Sequence, residues 1–229
     1  MSHTRTYTAF SPSSLETCEV WISPVGLEGT LTLPRNAKAT ILFAHGSGSS
    51  RSSPRNIFVA RELNEAGFAT LLFDLLTERE AQDRWNVFDI PLLAKRLLTA
   101  SEWIAINEAT APLPIAFFGA STGAAAALIA AAQSSREIAA IVSRGGRPDL
   151  VGAALVKVRS PTLLIVGGLD VDVLMLNRSA FDQLNCEKAL KIVPGATHLF
   201  PEHSALEEVV RLAREWFDEH VASETKESV

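Results

Sequence analysis

Six short apolar runs punctuate the chain: TILFAH (40–45), FATLLFD (68–74), LPIAFFG (113–119), IAAIVSR (138–144), PTLLIVGG (161–168) and KALKIVPG (188–195). They are continuous rather than alternating, and rich in β-branched or aromatic residues. Strands covered by helices on both faces have this pattern, because neither face meets water. Upstream, CEVWIS (18–23) and LEGTLTLP (27–34) alternate more and are joined by PVG. They predict an antiparallel hairpin at one sheet edge.

Helical periodicity fills the gaps. Residues 53–67 offer Ser53 as a cap, Pro54 at the first helical position and Gly67 as a stop. Residues 89–105 start at Asp89 and repeat apolar or small residues at Ile90, Leu93, Ala94, Leu97, Ser101 and Ile104. Residues 121–133 and 172–184 predict two more helices. Residues 204–220 predict the last, with Leu206, Val209, Val210, Ala213 and Phe217 on one face. Strand and helix alternate throughout, so the expected class is α/β, a mostly parallel sheet with helices on both faces. No repeat or linker interrupts it. One domain over 1–229 is expected, with a core of about 17–220 and polar, frayed ends.

Composition narrows the partners. Net charge is −5, with 21 Lys+Arg against 26 Asp+Glu. This disfavours nucleic acid and anionic membranes. The longest mostly apolar run, Ala124–Ala132, is about half of what a membrane span needs. Two cysteines, Cys18 and Cys186, are too few for a disulfide scaffold, so a reducing compartment is expected. The first 16 residues hold no apolar signal segment. The expected location is cytoplasmic, and the expected state is a monomer or small homo-oligomer.

The candidate chemistry centres on Gly119–Gly123, GASTG. This G-x-S-x-G follows an apolar strand directly and opens a helix directly, as a nucleophile elbow requires. A strand-to-helix turn this tight needs small residues two before and two after the serine. A simpler reading makes Ser121 the N-cap of an alanine-rich buried helix. A serine nucleophile needs a base, and the base an orienting acid. Both should follow later strands, at the edge of the sheet where α/β sites form. Asp170 follows PTLLIVGG, and His198 follows the last strand in VPGATHLF. Asp172 is the rival acid. His203 is read as a surface residue, and His3 and His220 as belonging to loose ends. For the oxyanion, the backbone N–H groups of Ser47 and Thr122 are the candidates, with Gly46 as the alternative to Ser47. His45 is expected to brace that loop beside the substrate. HGSGSS (45–50) lacks the lysine of a phosphate-binding P-loop, so nucleotide binding is disfavoured.

Together LFAHGSGSS, FFGASTGAAAA, PTLLIVGGLDVDV and VPGATHLF resemble the α/β-hydrolase superfamily, and within it the dienelactone hydrolase-like group. The resemblance spans about residues 17 to 220. It implies the α/β-hydrolase fold, an eight-stranded, mostly parallel sheet with its second strand antiparallel. It implies hydrolysis through Ser121, His198 and Asp170 with no cofactor and no metal. Dienelactone hydrolases proper carry a cysteine nucleophile, where this chain has serine. Related serine-bearing sequences are sometimes fused to a phosphoribosyltransferase domain, which implies a functional link to one.

Only residues 143–160 separate the strand after the elbow helix from the next, where this superfamily commonly inserts lids. A lid-free site for small substrates is expected. Arg144 and Arg147 lie in that segment, and Arg51 and Arg55 lie beyond the oxyanion loop. Arginine pairs carboxylate or phosphate bidentately, so Arg144 first, then Arg51, are candidates for an anionic substrate group, with surface salt bridging as the alternative. The expected activity is hydrolysis of small esters, lactones or thioesters by a serine-dependent carboxylic ester hydrolase. The competing readings are a non-catalytic binding module on the same fold, and acyl transfer through the same residues.

Overall fold

Each apolar run becomes a strand. The computed structural model describes residues 15–221. The chain begins with the expected hairpin, β1 (Glu16–Ile22) and β2 (Leu27–Leu33), paired antiparallel. The apolar runs follow as β3 (Thr40–Ala44), β4 (Ala69–Phe73), β5 (Ile115–Ala120), β6 (Ile141–Arg144), β7 (Thr162–Gly167) and β8 (Lys188–Val193). The sheet order is β1-β2-β4-β3-β5-β6-β7-β8. β2 runs antiparallel to both neighbours, and every later pairing is parallel. β3 to β7 are fully buried, as continuous apolar runs demand. β8 departs from the expectation. It forms the edge of the sheet, and Lys191 and Ile192 are exposed.

Helices cover both faces. They are α1 (Pro54–Glu65), α2 (Glu78–Ala81), α3 (Arg84–Phe88), α4 (Ile90–Ile106), α5 (Thr122–Gln133), α6 (Val171–Gln183) and α7 (Ala205–Val221). One layer packs Leu42 and Phe117 of the sheet against Leu97 of α4 and Leu128 of α5. The other packs Phe43, Phe118 and Val142 against Val59 of α1 and Phe217 of α7. The Phe43 and Phe118 rings sit 4.9 Å apart within it.

Several details differ from the sequence reading. The Asp89 side chain caps α4 by accepting from the Leu92 N–H, as expected. Ser53 occupies the N-cap position of α1, but its side chain makes no capping bond. The buried stripe of α7 is rotated toward Leu212 and Trp216, leaving Leu206 and Val210 partly buried at its flank. His220 is not in a loose end. It is buried on α7, with Nδ1 2.8 Å from the Trp216 carbonyl oxygen. His3 and residues 222–229 lie outside the described residues. α2 and α3 are too short to leave a periodic signature. A capping box of Thr77 and Glu80 sets the start of α2.

Two side chains hold the loop after β3 in place. Arg51 pairs with Glu19 of β1 at 2.6 Å, Glu28 of β2 at 2.9 Å and Asp74 after β4 at 3.2 Å. Its N–H also donates to Asp74. His45 bridges the same two loops. Its Nε2 accepts from the Leu75 N–H at 3.1 Å, so Nδ1 carries the proton and donates to the Gly46 carbonyl at 3.0 Å. Among the described residues, no helix is long and apolar enough to cross a membrane.

Burial lowers the His45 pKa below its ordinary 6.5, outweighing the nearby Asp74 charge. The unfolded chain therefore takes up a proton that the folded chain refuses. The stability tied to this ring is present above about pH 6.5 and is lost as pH falls below that value. His45→Gln keeps an acceptor for Leu75 but cannot titrate. Its urea midpoint should fall less between about pH 7.5 and about pH 5 than that of the wild type. Equal drops would show that His45 is not the acid-sensitive group.

Candidate active site

Close packing determines the position of Ser121. It sits between β5 and α5 with φ 51° and ψ −121°, a conformation L-residues rarely adopt. Such a backbone costs about 1–3 kcal/mol and persists only where the surroundings enforce it. Here they do. A Cβ on Gly119 would lie 2.4 Å from the Ala124 Cα, and one on Gly123 would lie 2.1 Å from the Ala44 carbonyl oxygen. Strand, turn and helix cross with no room for another carbon. The Ser121 N–H donates to the Arg144 carbonyl at 3.1 Å, and the Arg147 N–H donates to the Ser121 carbonyl at 3.1 Å. The turn is thus tied to the end of β6.

Ser121 is the N-cap residue of α5, yet its side chain makes no capping bond. The simpler reading of this serine, as a helix cap, therefore does not hold. The hydroxyl lies instead 3.4 Å from Nε2 of His198. His198 Nδ1 is 2.6 Å from Oδ2 of Asp170. Asp170 repeats the pattern. It is the N-cap of α6 and also makes no side-chain capping bond. Its Oδ2 is engaged by the histidine instead. With Nδ1–H donating to Asp170, Nε2 presents a lone pair to Ser121. The serine–histidine distance is long for a hydrogen bond, as is common before substrate tightens the arrangement. Asp172, the rival acid, lies in the first turn of α6, and the histidine's carboxylate partner is Asp170. His203 is exposed on a turn, as expected.

The loop carrying His198 rests on the end of β6. Gly145, at a φ of 52° that favours glycine, lies close to it: a Cβ there would be 3.1 Å from the His198 carbonyl oxygen, a tight contact, and 3.5 Å from its ring. The buried Asn177 of α6 donates to the Gly146 carbonyl at 2.9 Å and steadies the same turn. Glu202 accepts from the Thr197 N–H at 3.1 Å and the Thr197 hydroxyl at 2.5 Å, fixing the residue before the histidine.

The loop after β3 closes on the serine from the other side. A Cβ on Gly46 would lie 3.0 Å from the Ser121 Cβ. The Ser47 N–H, expected to face an oxyanion, donates to the Thr122 hydroxyl at 2.8 Å. Sequence reasoning missed this bond, since it used only the backbone of Thr122. As the first residue of α5, Thr122 has an N–H with no intrahelical acceptor. Next to this loop opens a cavity of about 770 Å³. Its apolar wall includes Trp21, Val25, Leu76, Val87 and Leu93, and its floor includes His45, Gly46 and Ser47.

The four candidate arginines divide. Arg51 is engaged by three carboxylates, and Arg147 forms a two-point pair with Asp149 at 2.8 Å in both contacts. Arg144 is buried, with 6% of its surface exposed, and Arg55 is half-buried. Among the described residues no cluster of histidine, cysteine or carboxylate side chains is arranged to hold a metal.

No protein-family model matches the chain. Two curated Mycobacterium tuberculosis proteins, both named phosphoribosyl transferases, are 54% identical over 206 residues. That match covers 90% of this chain but 46% of theirs, so the chain spans about half the length of the curated relatives it matches. Est1E from Butyrivibrio proteoclasticus shares the fold, with a TM-score of 0.73 at 18% identity over 89% of this chain and 99% of Est1E. The structure of a dienelactone hydrolase from Anabaena variabilis is 49% identical, with a TM-score of 0.86, and the match covers 92% of this chain and 99% of that one. With that identity along nearly the whole of the Anabaena enzyme, and the eight-stranded, mostly parallel sheet described above, the chain belongs to the dienelactone hydrolase-like group of the α/β-hydrolase superfamily.

Proposed function

We propose that the chain is a serine hydrolase of small carboxylic esters, lactones or thioesters, acting through an acyl-enzyme on Ser121. One observation carries the reading: Ser121 Oγ, His198 and Asp170 form a continuous hydrogen-bonded relay, although two of the three residues could have capped helices instead. His198 Nε2 takes the Ser121 proton as Oγ attacks the acyl carbon. Asp170 holds the tautomer and stabilises the imidazolium. The Thr122 N–H and the Ser47 N–H hold the oxyanion. The Ser47 N–H is shared with, or released from, the Thr122 hydroxyl as that charge develops. The positive end of α5 favours the same charge. His198 then returns its proton to the leaving group, and water attacks the acyl-enzyme by the reverse path.

The cavity beside Ser47, whose lining includes Trp21 and Leu76, supports a small substrate with an apolar group. The segment Pro148–Lys157 between β6 and β7 is a short stretch of 3-10 turns, which supports an open site. The Anabaena relative's name supports lactones within the substrate class. Phosphoribosyl transfer is the named activity of relatives about twice this chain's length, and we assign it no residue here.

Fluorophosphonate treatment should add one adduct, on Ser121, read by intact mass and peptide mapping. An unlabelled, folded protein would favour a non-catalytic binding module. Ser121→Ala should lower kcat on any ester turned over by a factor on the order of 10⁴ to 10⁶. With an added alcohol or amine acceptor, a product ratio above that set by water would identify acyl transfer instead.

Gly123→Ala tests the elbow rather than the relay. Its added methyl meets main-chain oxygen, which cannot turn aside. The expected cost is at the top of, or beyond, the roughly 1–3 kcal/mol of ordinary overpacking, measured by urea unfolding. Fluorophosphonate labelling should fall with it.

A further inference from the structure

Thr122, the first residue of α5, carries a hydroxyl whose proton is still free to be given. The residue is buried, with 5% of its surface exposed. Its Oγ1 accepts the Ser47 N–H at 2.8 Å. Among the described residues that is the one hydrogen bond of this hydroxyl, and in it the oxygen only accepts. A threonine inside a helix often donates to the carbonyl three or four residues back. Thr122 has no such outlet, because Gly119 and Phe118 belong to β5 and not to a preceding helical turn.

Position gives that proton a direction. Helical side chains tilt toward the helix N-terminus. At the first position of α5 this sets the Thr122 hydroxyl at the end of the helix, beside the residue's own N–H. The Ser47 N–H reaches the same oxygen from the loop after β3. The two backbone donors proposed for the oxyanion therefore converge next to one side-chain oxygen. Packing holds the two segments together. A Cβ on Gly123 would lie 2.1 Å from the Ala44 carbonyl oxygen and 2.4 Å from that of His45, and one on Gly46 would lie 3.0 Å from the Ser121 Cβ. The loop has little room to draw back and take Ser47 away from the hydroxyl.

A hydroxyl that stayed beside the oxyanion and only accepted would set lone pair against negative charge. One that turns its proton inward adds a bond instead. Rotation about the C–O bond is all this needs. The N–H already accepted from Ser47 polarises the O–H and makes it the stronger donor.

We propose that the Thr122 hydroxyl is a third donor to the oxyanion. Thr122 then supplies two groups, its N–H and its O–H, and the Ser47 N–H is shared between that hydroxyl and the oxyanion. As the bond from Ser121 Oγ to the acyl carbon forms, the carbonyl π pair moves onto oxygen and the serine proton passes to His198 Nε2. The threonine proton turns to the new alkoxide and stays on the threonine. The assignment deepens the hydrolase reading and rests on it.

The test is steady-state hydrolysis of 4-nitrophenyl acetate by Thr122→Val, which keeps the shape and removes the hydroxyl, and by Thr122→Ser, which keeps the hydroxyl. Thr122→Val should lower kcat by a factor on the order of 10² with KM within about threefold of wild type. Thr122→Ser should restore kcat to within about tenfold of wild type. A trifluoromethyl ketone, which forms the same oxyanion on Ser121, should bind Thr122→Val more weakly by the factor lost in kcat/KM. Urea midpoints report folding. If Thr122→Val does not fold, Thr122→Ala takes its place against Thr122→Ser. An unchanged or higher kcat in Thr122→Val would mean that the hydroxyl only occupies the Ser47 N–H, and would overturn the proposal. So would a loss confined to KM, or a Thr122→Ser as slow as Thr122→Val. In each of these cases wild type still cleaves the ester, so the hydrolase reading stands. A wild type that cleaves no ester and takes no fluorophosphonate would overturn both.

Discussion

Everything at this site depends on a steric constraint, the crossing of β5 and α5 at Ser121. Main chain meets main chain there. Gly119 abuts Ala124, Gly123 abuts the carbonyls of Ala44 and His45, and Gly46 abuts Ser121 itself. The alanines of α5 extend this close approach along the sheet. Contacts between backbones cannot relax by changing rotamers, so the serine's unusual φ and ψ are held by the fold rather than by any side chain. Strain that would be ruinous in a loose turn becomes a fixed aim for one hydroxyl.

The polar groups repeat one economy. Serine and aspartate are favoured N-caps because their oxygens accept from the first free N–H groups. Ser121 and Asp170 both occupy N-cap positions, and neither oxygen does so. The helix ends give up that local stabilisation, and the oxygens converge on His198 from opposite sides. The freed N–H groups of α5 then face the corner where the proposed oxyanion would form. A capping interaction forgone is thus the structural trace of a side chain held for another purpose.

Much of this was legible along the chain. Eight strands, five long helices and the order of serine, acid and histidine follow from apolar runs, caps and the position of each loop after its strand. What escaped depended on contacts between distant residues. β8 reads like its neighbours, but among the described residues it is the last strand of the sheet, and Lys191 and Ile192 are exposed. His220 looks terminal, but the packing of α7 buries it against Trp216. The bond between Ser47 and the Thr122 hydroxyl joins residues 75 apart, and no local pattern marks it. The arginines are the sharpest case. Arg51, Arg55, Arg144 and Arg147 have the same chemistry in sequence. Their difference lies in who answers them: Arg51 and Arg147 meet carboxylates, while among the described residues none forms an ion pair with Arg55 or Arg144.

The constraints on the site meet at the end of β6. The turn from Arg144 to Gly146 does three things at once. Its first carbonyl fixes the Ser121 N–H, its first glycine lies close to His198, and its second glycine is anchored by the buried Asn177. The serine–histidine contact is the slack member of the relay, at 3.4 Å against 2.6 Å for histidine and aspartate. The end of β6 touches both ends of that slack contact, at the Ser121 N–H and beside His198, so the distance that proton transfer must cross depends on how this one turn is packed.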